Sequence, residues 1–91
     1  MNVVWTKSSV SDLVHIREYI EIENPTASSK IANLILETVE QLIEFPNLGR
    51  PGRVRGTREL VISNTPYLIP YRIQNEEIQL LRVLHGRQDY P

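Results

Sequence analysis

The chain has 91 residues, a net charge of −1, 41% hydrophobic residues and no cysteine. This length and composition are typical of one globular domain, which we place over residues 1–91. The lack of cysteine excludes disulfides, thiolate metal sites and a cysteine nucleophile. No stretch approaches the roughly 18 apolar residues of a membrane helix, and the first residues lack the pattern of a secretory signal. The sequence therefore predicts a soluble, cytoplasmic protein with no membrane contact.

Positive charge is concentrated in the second half of the chain. Residues 1–45 carry three lysines or arginines against seven carboxylates, whereas residues 46–91 carry seven cations, all arginine, against four carboxylates. Arginine grips phosphate or carboxylate in two places and stacks on aromatic rings. Such a cluster is either a solvated basic face or a surface for an acidic partner or a nucleic acid, and both interpretations stay open here.

The chain opens with a predicted strand and a predicted helix. The β-branched and aromatic run from Asn2 to Thr6 indicates the strand. Either Ser8 or Ser9 then offers an N-cap, and Asp12 follows Ser9 at the spacing of a capping box. Apolar residues recur after this point at helical spacing, which predicts a helix to about Ile22.

A second helix is predicted from Pro25 to Glu44. Asn24 is a suitable N-cap, and Pro25 takes the first helical position, where its missing N–H costs no hydrogen bond. Pro46 ends the helix. Because the link to the first helix is so short, the two helices should form an antiparallel hairpin whose apolar faces need a partner layer.

The second half reads as a loop followed by three strands. Residues 46–57 combine two prolines, three glycines and three arginines, which is typical of a loop. Alternating apolar residues predict strands over Arg58–Ile62 and Tyr67–Ile73, and the nearly continuous apolar run Ile78–His85 predicts a central strand buried on both faces. Pro70 cannot donate in a ladder, so it should face an edge or a bulge.

The predicted element order is therefore β-α-α-β-β-β, an α+β fold. Its simplest assembly is a small twisted antiparallel sheet with the helix hairpin packed on one face. The N-terminal strand should join this sheet at one side.

The last third of the chain supplies each kind of group that metal-independent RNA cleavage requires: a base, an acid and cations for the phosphorane charge. The candidates are Glu59 or Asp89 as base, His85 as acid, and Arg58, Arg72 and Arg82 as cations. Candidates for binding a partner are Arg50, Arg53, Arg55, Arg72, Arg87 and Tyr90.

Each candidate also has a structural interpretation. Arg72 and Arg82 would serve equally well in ion pairs with Glu59 or Glu77, and His85 is well placed to act as a turn residue at a strand end. His15 should lie on the exposed side of the first helix. Two histidines alone cannot form a metal site, and no nucleotide-binding or metal-binding motif is present, so we expect neither a metal nor a cofactor.

Several motifs, taken in order, resemble the RelE/ParE superfamily of toxins from type II toxin–antitoxin systems. The resemblance covers nearly the whole chain. The motifs are W-T-K-S-S-V-S-D-L from Trp5, N-P at Asn24, F-P-N-L-G-R from Phe45, G-T-R-E-L from Gly56, P-Y-L-I-P-Y-R from Pro66 and R-V-L-H-G-R-Q-D-Y-P from Arg82. The resemblance implies the fold described above and a growth-inhibiting toxin.

The resemblance also implies a protein partner. Toxins of this superfamily are neutralised by a small antitoxin whose disordered segment folds on the toxin, so a toxin–antitoxin hetero-oligomer is expected. Because such antitoxins are often acidic, the arginine-rich half is the expected docking face.

The superfamily divides by target, either the ribosome with its mRNA or DNA gyrase. RelE-like nucleases place an arginine after the tyrosine that opens the penultimate strand, whereas here Leu68 follows Tyr67. They also carry lysines in the preceding segment, where this chain has only arginines. A nuclease branch resembling YoeB ends in a His-Tyr pair, but four residues separate His85 from Tyr90.

These departures favour a ParE-like inhibitor of gyrase. The alternative is a RelE-like, ribosome-dependent mRNA endonuclease, in which Arg58, Arg82 and His85 would be catalytic. The sequence thus leaves open whether the chain is an enzyme. A chain that only binds antitoxin is a third possibility.

Overall fold

A computed structural model describes residues 1–88 and 90. The elements in chain order are β1 (Asn2–Trp5), α1 (Lys7–Glu23), α2 (Pro25–Glu44), β2 (Arg50–Pro51), β3 (Arg58–Val61), β4 (Tyr67–Gln74), β5 (Glu77–Leu80) and β6 (Leu84–His85). The predicted α+β class is confirmed, and so is the order of its main elements. Within the described residues, no helix is long and apolar enough to cross a membrane.

A threonine, rather than one of the expected serines, caps the first helix. The N-cap is Thr6, whose hydroxyl oxygen accepts a hydrogen bond from the Ser9 backbone N–H at 3.3 Å. The prediction of Ser8 or Ser9 as the cap was wrong, because Ser9 is buried one turn into the helix and its hydroxyl donates to the Thr6 carbonyl. The Asn24 cap of α2 is confirmed, since its side chain accepts from the Ala27 N–H at 3.0 Å.

The helix hairpin packs on one face of the sheet. Buried apolar residues of α2 meet the residues that alternate along the strands, and this arrangement forms the core. The core residues are Ile35, Val39, Leu42, Leu60, Ile62, Ile69, Tyr71, Ile78, Leu80 and Val83. The opposite side of the sheet, the outer face, carries the intervening positions of each strand, including Glu59 and Pro70.

The sheet is mixed rather than wholly antiparallel. Its strand order is β1-β5-β4-β3-β2, and β1 joins at one side, as predicted, but runs parallel to β5. Strands β3, β4 and β5 alternate in direction through tight turns, so their pairing follows from local sequence. The direction of β1 depends instead on where the two helices return the chain, which no local pattern encodes.

The predicted last strand is interrupted by a bulge. Tyr71 pairs with Leu80 and Leu68 pairs with Leu84, so the two residues of β4 between these pairs face residues 81–83 on the other strand. The run from Ile78 to His85 is therefore two short strands, and the prediction of one continuous strand was wrong. The position of β5 inside the sheet, between β1 and β4, matches the apolar sequence, whereas β6 pairs with β4 alone.

Pro70 lies opposite this bulge, as its lack of an N–H required. Its carbonyl accepts from the Leu81 N–H at 2.8 Å, but the proline returns no donor. An acidic side chain of α1 supplies the acceptor for another backbone N–H of the bulge: Asp12 Oδ2 accepts from the Val83 N–H at 2.9 Å. The same carboxylate binds the Arg82 guanidinium through Nε at 2.7 Å and Nη2 at 3.1 Å. Asp12 thus joins the first helix to the irregular part of the sheet.

We expect Asp12→Ala to lower the free energy of unfolding by about 1–3 kcal/mol, because it leaves the partly buried Val83 N–H without its acceptor. Arg82→Ala should cost about 1 kcal/mol or less, since that guanidinium is half exposed and its loss leaves the Asp12–Val83 bond in place. Urea denaturation of both variants measures the difference. Equal losses would show that the ion pair, rather than the bond to the bulge, carries the stabilisation.

Candidate functional site

The arginine-rich loop is held tightly against the sheet. The Tyr71 hydroxyl, buried in β4, donates to the Pro46 carbonyl at 2.7 Å and accepts from the Gly49 N–H at 2.9 Å. A Cβ at Gly49 would lie 2.6 Å from Cε1 of Tyr71, so only glycine permits this approach. Arg58 Nη1 donates to the Gly49 carbonyl at 2.7 Å. Arg58, a candidate catalytic cation, therefore has a structural partner.

Glu59 lies on the outer face, in β3 beside the edge strand β2, and its side chain is only 2% exposed. Its carboxylate accepts hydrogen bonds from Arg50 Nε at 3.1 Å, from the Arg53 backbone N–H at 3.2 Å and from the Tyr90 hydroxyl. Arg50 faces Glu59 directly across the β2–β3 pair. We call these four residues the Glu59 cluster.

The charge of Glu59 is stabilised by its partners rather than by solvent. Burial by itself raises the pKa of the Glu59 carboxyl, but the hydrogen bonds from Tyr90, the Arg53 backbone and Arg50 outweigh it and lower this pKa. The carboxylate is therefore ionised near neutral pH and fully engaged. That state makes it a poor general base, because a base must be free to accept a proton.

Tyr90 connects the end of the chain to the loop. Its ring lies under the Arg53 guanidinium, 4.9 Å from the ring centroid, in a cation–π contact. Burial, followed by the hydrogen bond to Glu59, raises the pKa of Tyr90 to about 12. Three predicted binding residues, Arg50, Arg53 and Tyr90, are thus brought together, but around a carboxylate of the same chain.

The other predicted binding arginines are exposed. Arg72 lies on the outer face two residues beyond Pro70, and its Nε donates to Gln79 Oε1 at 2.8 Å. Arg55 at the tip of the loop and Arg87 near the end of the chain are also exposed. Within the described residues, these three predicted binding arginines are exposed and form no ion pair.

The acid candidate His85 lies on the other side of the sheet from Glu59. It pairs with Tyr67 at the start of β4 and lies edge-on to that ring, with centroids 5.8 Å apart. Both side chains border a shallow cavity of about 480 Å³ on the helix side, which Ile16 and Tyr19 of α1 also line. Glu59 points to the outer face, so the predicted base and acid are separated by the sheet itself.

Apart from His15, which borders the same cavity as His85, the remaining candidates do not converge. Arg82 is bound by Asp12 and not by Glu59 or Glu77, and the exposed His15 lies on α1 as predicted. Arg58 lies opposite Tyr71, and His85 lies opposite Tyr67. These two positions are four residues apart along β4, which corresponds to about 13 Å of strand. Asp89, the other candidate base, lies outside the described residues. Within residues 1–88 and 90 there is no cluster of three potential metal ligands.

Two features were not predicted from the sequence: the contacts of Asp12 with the bulge, and the burial of the Glu59 carboxylate. Asp12 was assigned to a cap, although its partners lie 70 and 71 residues away. The sequence did contain a signal for the burial of Glu59, because a carboxylate in an apolar strand needs hydrogen-bond partners if other segments cover that face of the sheet. The segments that cover Glu59 are the arginine-rich loop and Tyr90, and the strand pattern does not reveal them.

The chain is similar to known toxins along most of its length. A family model described as the ParE toxin of type II toxin–antitoxin systems matches residues 3–90. The putative toxin Y4kP of Sinorhizobium fredii is 41% identical over 96% of this chain and 90% of that protein. Toxin RelE2 of Caulobacter vibrioides is 34% identical over 92% and 93% of the two chains.

Two solved structures have the same fold. The chromosomal ParDE toxin–antitoxin system from P. aeruginosa contains a chain that superimposes with a TM-score of 0.85 and 31% identity, covering 93% of this chain and 95% of that one. The RelBE2 toxin–antitoxin complex from Mycobacterium tuberculosis gives a TM-score of 0.67 and 26% identity, with coverage of 92% and 95%. The fold is therefore shared with a chain of each of these two toxin–antitoxin complexes.

The Glu59 cluster predicts a specific pH dependence of stability. Because the folded state lowers the pKa of Glu59, its contribution is present above the ordinary value of 4.5 and is lost as the pH falls through the folded pKa. We expect Glu59→Gln to be less stable than the natural chain by about 1–3 kcal/mol at pH 7, and the gap to close on acidification below 4.5. Urea denaturation from pH 3 to 7 measures this gap.

Tyr90→Phe serves as the matched variant, since it retains the carboxylate but removes one of its donors. In the Tyr90→Phe variant, the pH-dependent loss of unfolding free energy caused by Glu59→Gln should be smaller than in the natural chain. A gap that stays constant from pH 3 to 7 would contradict the assigned role of Glu59.

Proposed function

Since this chain belongs to the ParE/RelE family of type II toxins, we propose that it arrests bacterial growth by binding and inhibiting DNA gyrase. A cognate antitoxin, with which it forms a hetero-oligomer, neutralises it. The observation that carries the choice of target is that Glu59 and His85 lie on opposite faces of the sheet.

RNA cleavage without a metal requires a base, an acid and cations around one phosphate. Here the buried carboxylate of Glu59 is occupied by Tyr90 and two arginines, the Arg82 guanidinium is bound to Asp12, and His85 faces the helices. This arrangement favours a toxin that acts by protein contact. The match of the ParE family model to residues 3–90 supports the same choice.

The exposed arginines supply a surface for protein partners. Arg55, Arg72 and Arg87 are exposed and form no ion pair within the described residues, whereas Arg50 and Arg53 share the Glu59 carboxylate. Arginine is enriched among residues that dominate protein interfaces because it combines charge, planar hydrogen bonding and stacking. We assign these three residues to contact with the antitoxin, whose acidic segment would pair with them. The proposed target places the chain in the cytoplasm.

The target is tested by pulse labelling of DNA, RNA and protein synthesis just after induction of the chain alone. We expect DNA synthesis to fall first, and His85→Ala to leave this arrest unchanged provided that the variant folds. In the matching assay, the purified chain should inhibit supercoiling of relaxed plasmid by gyrase. If protein synthesis falls first and His85→Ala abolishes the arrest, the chain is an mRNA endonuclease and the proposal is wrong.

The antitoxin surface is tested by charge reversal. Arg55→Glu combined with Arg87→Glu should weaken antitoxin binding at least tenfold, because each variant turns an attraction into a repulsion at an exposed site. Arg17→Glu combined with Lys30→Glu, at exposed positions of α1 and α2, changes the net charge by the same amount and is the matched control, which should have little effect. Calorimetric titration of the purified toxin variants with antitoxin measures the affinities. Equal weakening by the control pair would show a general effect of net charge instead of a local contact.

A further inference from the structure

The Tyr71 side chain reaches from the hydrophobic core to the arginine-rich loop. Its ring is fully buried and belongs to the core cluster. Its hydroxyl binds the Pro46 carbonyl and the Gly49 N–H, which lie at the two ends of a four-residue segment. Pro46 follows the end of α2, and Gly49 directly precedes β2. One buried hydroxyl therefore fixes the segment that connects the second helix to the edge strand.

The edge strand β2 depends on contacts outside its own ladder. It consists of Arg50 and Pro51, and it faces β3 at two positions only. Pairing over so few residues is not stable by itself, and the proline has no N–H to donate. Tyr71 holds the residue before β2, and the Glu59 carboxylate accepts from the Arg53 N–H two residues after it. The position of β2 is therefore set by one anchor on each side.

Beyond β2 the loop closes on itself, and we call residues 52–57 the closed turn. The Gly52 N–H donates to the Thr57 carbonyl at 2.9 Å. The Thr57 N–H and hydroxyl both donate to the Val54 carbonyl, at 3.1 and 2.6 Å. Gly56 has a φ of 82°, in the left-handed region that favours glycine. The closed turn therefore carries Arg55 at its tip as a unit held by its own hydrogen bonds.

The order of the loop before binding affects affinity, because a flexible loop must be ordered when a partner binds. A loop that is ordered on folding has already lost that conformational entropy. The Arg55 side chain is exposed and forms no ion pair within the described residues. Its position is therefore determined by the backbone of the closed turn, which depends in turn on β2.

We propose that the Tyr71 hydroxyl is a positioning group for antitoxin binding. It fixes β2, and β2 carries the closed turn that presents Arg55 to the acidic segment of the antitoxin. Tyr71 does not touch the antitoxin, since its side chain is fully buried. The inference rests on the proposed contact of Arg55 with the antitoxin, and it adds that the strength of this contact depends on a hydroxyl inside the core.

Hydrogen exchange measured by NMR tests the effect on the loop. Tyr71→Phe keeps the ring and removes both hydrogen bonds of the hydroxyl. We expect exchange of the Gly52 and Arg53 N–H groups, which the substitution does not touch, to accelerate about fivefold relative to β4 and β5. Asp12→Ala is the matched control, because it removes a polar contact to the bulge rather than to the loop. It should leave this ratio unchanged.

Calorimetric titration of the folded variants with the antitoxin tests the effect on binding. Tyr71→Phe should weaken binding about fivefold, and Asp12→Ala should have little effect. A double-mutant cycle with Arg55→Ala supplies a result that a loss of stability alone would not produce. Arg55→Ala should weaken binding about tenfold in the natural chain and less than about threefold in the Tyr71→Phe chain, because there Arg55 is no longer held in place.

A second variant breaks the same contact from the loop. Gly49→Ala would place its Cβ 2.6 Å from Cε1 and 2.8 Å from the hydroxyl oxygen of Tyr71, so the loop must move away. It should reproduce the faster exchange and the weaker binding of Tyr71→Phe.

The outcomes separate this inference from the proposed function. Unchanged loop exchange in both Tyr71→Phe and Gly49→Ala would refute the positioning role. So would an equal loss of affinity on Arg55→Ala in the natural and Tyr71→Phe chains, while leaving the antitoxin surface in place. Unchanged binding of Arg55→Ala in the natural chain would refute the surface and the inference together. None of these measurements depends on gyrase or on growth arrest.

Discussion

The buried carboxylate of Glu59 is the interaction on which the second half of the molecule depends. A charge with 2% exposure on the outer face is stable only if other groups replace the water that it has lost. The loop supplies Arg50 and the Arg53 N–H, and the end of the chain supplies the Tyr90 hydroxyl. One side chain in a regular strand therefore organises two segments that have almost no regular structure of their own.

The consequence for function is a division between arginines that form ion pairs within the chain and arginines that do not. The second half of the chain has seven arginines, and five of them have acceptors within the described residues: Arg50 and Arg53 on Glu59, Arg58 on the Gly49 carbonyl, Arg72 on the Gln79 side chain, and Arg82 on Asp12. Counting arginines in the sequence overstates the basic surface, because the folded chain uses its own carboxylates and carbonyls to bind them. The exposed arginines that form no ion pair within the described residues, at positions 55, 72 and 87, define a smaller surface.

Asp12 has an equivalent role on the helix side. Pro70 interrupts the ladder, the opposite strand forms a bulge, and Asp12 accepts the N–H of Val83 and binds Arg82. The first helix is therefore attached to the sheet by a polar contact as well as by the core. In this geometry the Arg82 guanidinium is engaged by Asp12, and His85 lies near Tyr19 of α1 and Tyr67 at the start of β4.

The sequence by itself determined the order of the elements, the boundary at Asn24 and Pro25, the alternation of Glu59 with Leu60, and the presence of Pro70 at an edge or bulge. These features follow from local chemistry, since caps, proline geometry and side-chain alternation act over a few residues. Only the tertiary structure decided the direction of β1, the interruption of the last strand, the partners of Asp12 and the opposite placement of Glu59 and His85. Each of these depends on pairing between segments tens of residues apart, where a shift of one residue in register moves a side chain to the other face of the sheet.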